Sequence, residues 1–101
     1  MMANVMTPTA FKRSVKNPRS PAGLTPALRA LWWAKKDNWA RAHKIVMDDD
    51  GRDSAWVHAH LHRVEGDASN ARYWYREAGR PAAKAAPAAE WNAIVKALIE
   101  K

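Results

Sequence analysis

Cysteine is absent from all 101 residues, which excludes a disulfide framework, a thiolate zinc site and a cysteine nucleophile. Acidic residues are absent from the first 36 positions, where Lys12, Arg13, Lys16, Arg19, Arg29, Lys35 and Lys36 stand without a counter-charge. From Asp37 onward ten basic residues meet ten acidic ones, so the whole net charge of +7 is N-terminal. A basic arm of this kind can bind nucleic acid, here through residues 1–36, while the balance beyond Asp37 argues against a second charged face. No apolar run approaches the roughly 20 residues that span a bilayer, and no continuous apolar segment of the secretory type opens the chain. The expectation is a soluble, cytoplasmic protein, with a mitochondrial location as the alternative if the arm is a transit peptide. A glycine-rich phosphate loop, a GxSxG elbow and a dinucleotide fingerprint are also missing, so an interaction module is expected ahead of an enzyme.

What the chain does have is apolar and aromatic. Hydrophobic residues make up 48% of it and six residues are tryptophan, a composition that favours packed helix interfaces over disorder. Pro8, Pro18 and Pro21 interrupt residues 1–23, which show no sustained apolar period. This segment is expected to be a flexible basic tail ahead of a single α-helical domain at 24–101.

Local signals place five helices in that domain. Thr25 and Pro26 supply an N-cap and an N1 proline, and a largely apolar helix runs to about Lys35. Asp37 or Asn38 caps a second helix, in which Trp39, Ala42, Ile45 and Val46 share a face. Asp48 to Asp53 forms an acidic turn. It fails as a calcium loop, because setting Gly51 at the invariant glycine puts Val46 and Val57 at the first and last ligand positions. Asp53 is placed to cap a third helix, from about Ser54 to Val64, which Gly66 stops, and Asp67 caps a fourth. Gly79 and Pro81 end that helix, 80–87 reads as a linker, and a last helix from Pro87 carries Trp91, Ile94, Val95, Leu98 and Ile99 on one stripe. The fold class is all-α, with two antiparallel helical hairpins and a C-terminal amphipathic helix.

Gly66, Asp67, Ala71, Tyr75 and Ala78 resemble the second helix of a tetratricopeptide repeat, over about 14 residues. Small residues at such positions let paired helices approach while a ring fills the gap between them. A weaker echo at Asn38, Trp39 and Ala42 lies 29 residues upstream, against about 34 in that repeat. The first helix departs from the pattern, with Ala55, His58 and His62 where large apolar residues are usual. The resemblance implies a concave groove presenting Trp56, His60 and Arg63 to a protein partner, or to a second copy of the chain. The phrase LHRVEGD followed by NARYWYREAG is also similar to that of short soluble proteins, a likeness that implies no activity.

Two constellations carry chemistry. His58 and His62, at i and i+4, share a helix face that Glu65 extends. Such spacing holds zinc or another divalent ion when a facing helix supplies a further ligand, and His43 is the only other imidazole that can do so. No cofactor is the first expectation, with this divalent site as the alternative, either as a metal-dependent centre or as an acid/base pair of His62 with Glu65. Arg72, Tyr73 and Arg76 form the second constellation, able to meet phosphates and to stack on a base. Tryptophans beyond what one small core can hide would mark a partner surface.

Overall fold

The computed structural model describes residues 6–101, in which six helices and no strands occur: α1 (Pro8–Ser14), α2 (Pro26–Lys35), α3 (Trp39–Met47), α4 (Arg52–Val64), α5 (Ala68–Ala78) and α6 (Pro87–Ile99). The all-α class holds. The two closest helix pairings are α2 with α3 and α4 with α5, each pair joined by a three-residue turn, while α6 lies across α1, α2 and α4.

The two turns are built alike. In the first, Asp37 takes a left-handed φ of 64°, the Asn38 amide donates to Trp33 O at 3.0 Å, and the Asn38 side chain accepts from Arg41 N. In the second, Gly66 takes φ 90°, the Asp67 amide donates to His62 O at 2.8 Å, and the Asp67 side chain accepts from Asn70 N. A residue tolerant of positive φ followed by an Asx cap ends one helix and starts the next within three positions. Asn38 is thus the cap of α3, and Asp37 is the left-handed residue before it. The start of α4 differs from expectation: the helix begins at Arg52 with Gly51 at the N-cap, and Asp53 lies inside the first turn. Asp49 explains the shift, because its carboxylate accepts from the Gly51 amide at 3.1 Å and closes the turn early.

The segment expected to be a flexible tail contains α1. Residues 1–5 of that segment lie outside the described residues. Pro8 sits at N1 of α1, and the Thr7 hydroxyl accepts from Ala10 N at 3.0 Å, so this proline starts a helix instead of interrupting one. Phe11 is 0% exposed, with its ring centroid 5.9 Å from that of Trp91. Ser14 Oγ donates to Phe11 O at 2.6 Å and accepts from Trp32 Nε1 at 3.0 Å. Seven residues with one large apolar side chain show no period, which is why the composition of this helix reads as a tail.

The main core joins Phe11, Leu31, Trp32, Val46, Val57, Leu61, Trp91, Ile94 and Val95. Trp91 Nε1 donates to Leu31 O at 2.8 Å and Trp39 Nε1 to Leu61 O at 2.7 Å, so these indoles tie α6 to α2 and α3 to α4 without leaving a buried N–H unpaired. A second, small cluster of Ala59, Ala71 and Tyr75 lets α4 and α5 approach closely. All six tryptophans are at least partly buried. Trp32 and Trp91 are buried, and Arg41 and Arg80 cover the faces of Trp33 and Trp56 at 4.1 and 3.9 Å. The surplus of aromatic surface expected on the outside is therefore small: Tyr73, 47% exposed, carries it.

Candidate metal centre

The histidines of α4 fall on two sides of the helix, and the structure gives each side a different partner. His58 and His62 face α3 and α5. His43 stands four residues after Trp39 on α3, so its ring lies on that indole at 4.5 Å, and His58 lies on the Trp74 indole of α5 at 3.9 Å. Between these two indoles the Nε2 atoms of His43 and His58 are 3.0 Å apart, a hydrogen bond whose donor depends on the tautomer. One ring nitrogen from each of His43, His58 and His62 can be chosen so that all three lie within 4.8 Å of one another. Two nitrogens bound tetrahedrally at about 2.0–2.1 Å from a zinc ion stand roughly 3.3 Å apart, close to the His43–His58 spacing.

The electrostatics favour the metal-binding form. Burial lowers the pKa of His43, as does the neighbouring His62, against a smaller upward pull from Glu65. Burial, then His43 and His62, lower His58 to about 4. Both rings are neutral at pH 7, so each has one lone pair to offer, and the proton shared between the two Nε2 atoms would move to an Nδ1 when an ion binds both. His62 is oriented from behind: its Nδ1 meets Glu65 Oε2 at 2.6 Å, one helical turn away, which leaves Nε2 for the cluster. A carboxylate holding the outer nitrogen of a ligating histidine is the usual backing of a metal site. His62, Glu65 and Asp67 are also close enough to form a second group of donors, but Asp67 is occupied as the cap of α5.

The expected groove of Trp56, His60 and Arg63 is not an open one. His60 is 2% exposed, and its Nδ1 meets Glu90 Oε1 of α6 at 2.8 Å. Arg63 Nη1 reaches the same oxygen at 3.1 Å, its Nη2 donates to Ala85 O, and the Tyr75 hydroxyl donates to Glu90 Oε2. Residues that the repeat pattern would offer to a partner are instead used to bind the linker and α6. Burial pushes the Glu90 carboxyl up, but hydrogen bonds from His60 and Tyr75 and the His60 and Arg63 contacts outweigh it and hold the pKa below the usual carboxylate value. Burial, with the Glu90 contact, raises the Tyr75 phenol. Glu90 has a sequence signal that periodicity carries: it stands four residues before Ile94 and eight before Leu98, inside the buried stripe, where a carboxylate must find partners.

Arg72, Tyr73 and Arg76 are exposed together on α5, with Tyr73 edge-on to Trp74 at 5.0 Å. In the basic N-terminal region Lys12, Arg13, Lys16 and Lys35 surround one depression beside α1. No helix among the described residues is long and apolar enough to cross a membrane. Comparison of the chain with protein-family models, with curated proteins and with solved structures found no match.

Proposed function

We propose that this protein is a small helical module that binds one divalent transition-metal ion through His43, His58 and His62. The observation that carries the reading is the convergence of three ring nitrogens, from two facing helices, within 4.8 Å. The donor set is nitrogen-only, which suits zinc, copper or nickel better than magnesium or calcium. Three protein ligands leave a fourth position for water or an exogenous group, the arrangement of a reactive centre more than of a closed structural one. Because α3 belongs to the first hairpin and α4 to the second, the ion would also clamp the two hairpins together. Elemental analysis of protein purified without chelator, followed by calorimetric titration of the metal-free protein with zinc, tests the reading. About one ion per chain, lost in the His43→Gln and His58→Gln variants, is expected; folded native protein that neither carries nor takes up a divalent ion rules it out.

A second reading keeps the hairpins as tetratricopeptide-repeat-like and the molecule as an adaptor for a protein partner or a second copy. The outward cluster of Arg72, Tyr73 and Arg76 favours it, since an exposed tyrosine flanked by arginines has the composition of an interface anchor. Tyr73→Ala that leaves self-association and partner capture unchanged would remove this support.

A further inference from the structure

A cavity of about 490 Å³ opens where the ends of α2 and α4 meet the beginnings of α3 and α6, within the range of roughly 300–1,000 Å³ common for small-molecule sites. Its apolar walls come from Trp39, Leu61, Val64 and Trp91, and its polar lining from Lys35, Asp37 and His60. None of His43, His58 and His62 lines this cavity, although Trp39, which does, also stacks on His43; the proposal below does not rest on the metal reading.

Three features of the lining favour an anionic head group with a ring behind it. The first is Lys35, whose ammonium sits 5.1 Å from the Trp91 ring centroid and has no carboxylate partner among the described residues. The second is the start of α6. Ala86 at the N-cap offers no side-chain acceptor, so the N–H groups of Ala88 and Ala89 go uncapped at the positive end of a 13-residue helix, and Pro87 and Ala88 line the cavity. The third is His60, whose side chain is only 3% exposed. Its Nδ1 is held by Glu90, and its Nε2 has no protein partner among the described residues. The one fully buried side-chain nitrogen or oxygen left unpaired among the described residues is Ser54 Oγ, so His60 Nε2 keeps an opening, and the cavity is the space His60 lines. Nε2 therefore faces the cavity without a protein partner, and a ring hydroxyl, which can both donate and accept, is its complement.

We propose that this cavity binds a small aromatic carboxylic acid. The carboxylate meets Lys35 and the N-terminus of α6, the ring packs between Trp39 and Trp91, and a hydroxyl on the ring reaches His60. The acid that lines the site, Asp37, disfavours dianions and so selects a single carboxylate. The charge of Glu90 is offset by the Arg63 guanidinium, and its oxygens are taken up by Arg63, His60 and Tyr75.

The test uses the full chain, isotopically labelled, after chelator treatment. Titration with 4-hydroxyphenylacetate should shift the Ala88 and Ala89 amide and Trp91 indole resonances saturably, with a dissociation constant in the millimolar range or tighter. The uncharged analogue 4-hydroxyphenethyl alcohol should bind about fivefold more weakly or worse, and Lys35→Gln should cost the acid a similar factor. Lys35 is exposed, so that variant keeps the fold; Lys12→Gln, in the neighbouring basic depression, should change nothing. No saturable shift by about 20 mM, equal affinity for the alcohol, or indifference to Lys35→Gln each overturns the proposal.

Discussion

The Nε2 atoms of His43 and His58 face each other at 3.0 Å across the boundary between α3 and α4, with an indole stacked on the far side of each ring. Two neutral imidazoles share one proton in this contact, and a third imidazole, His62, stands beside them. The same pair is a hydrogen bond without an ion and would supply two of the three proposed protein ligands with one.

Glu65 orients His62 and would not itself ligate. Glu65→Gln should therefore weaken zinc binding by about 10- to 100-fold without abolishing it, whereas His62→Gln should lose it. Glu65 is an exposed residue near the end of α4, and the variant's unfolding midpoint without metal should move little. Calorimetric titration of both variants separates the roles.

Acid should destabilise the metal-free protein earlier than its carboxylates alone would. The pKa values of His43 and His58 are lower folded than unfolded, so at pH above about 6.5 neither state is protonated and there is no penalty. As pH falls from about 6.5 toward 4, the unfolded chain takes up protons at these positions that the folded chain refuses, and stability declines. For His58, lowered to about 4, the full effect is about 3 kcal/mol, of which about 2 kcal/mol is reached by pH 5. Urea unfolding at pH 7.5 and 5.0 measures it. His58→Gln should flatten the slope between those values, and an equally steep slope in that variant would contradict the assignment.

Glu90 is held ionised by its partners, so its contribution is present above its unfolded pKa and is lost as pH falls through the lower folded one. Glu90→Leu leaves His60, Arg63 and the Tyr75 hydroxyl without their acceptor. A loss of about 3 kcal/mol or more is expected, because each stranded group keeps its desolvation cost. Tyr75→Phe removes one donor and should cost about 1–2 kcal/mol. Because the Tyr75 phenol is raised, its phenolate absorbance in the ultraviolet should appear only with the alkaline unfolding transition.

Phe11 decides whether the N-terminal segment is part of the domain. Phe11→Ala should cost about 3–5 kcal/mol, the usual penalty for emptying a fully buried ring site, and it should raise hydrogen exchange at Trp32, whose indole bonds to Ser14. A change below about 0.5 kcal/mol would show that α1 contributes nothing to the core.

Helix type and most helix ends were legible from single residues. Thr25 with Pro26, Asp67, Gly66, Gly79 and Pro87 each act through backbone geometry or a side chain reaching three positions along, and such local physics needs no knowledge of the rest of the chain. The pairing of His58 with His62 was legible for the same reason, as was the pairing of His62 with Glu65, both within one helical turn or so. Tertiary structure decided what those groups meet. His43 reaches His58 across 15 residues, His60 reaches Glu90 across 30, and Trp91 reaches Leu31 across 60. Such contacts depend on which faces of separate helices are pressed together, and side-chain period alone assigns a face without naming its partner. The same limit explains α1: a lone Phe11 has no period to announce it, and only a complementary gap beside Trp91 makes seven residues worth ordering.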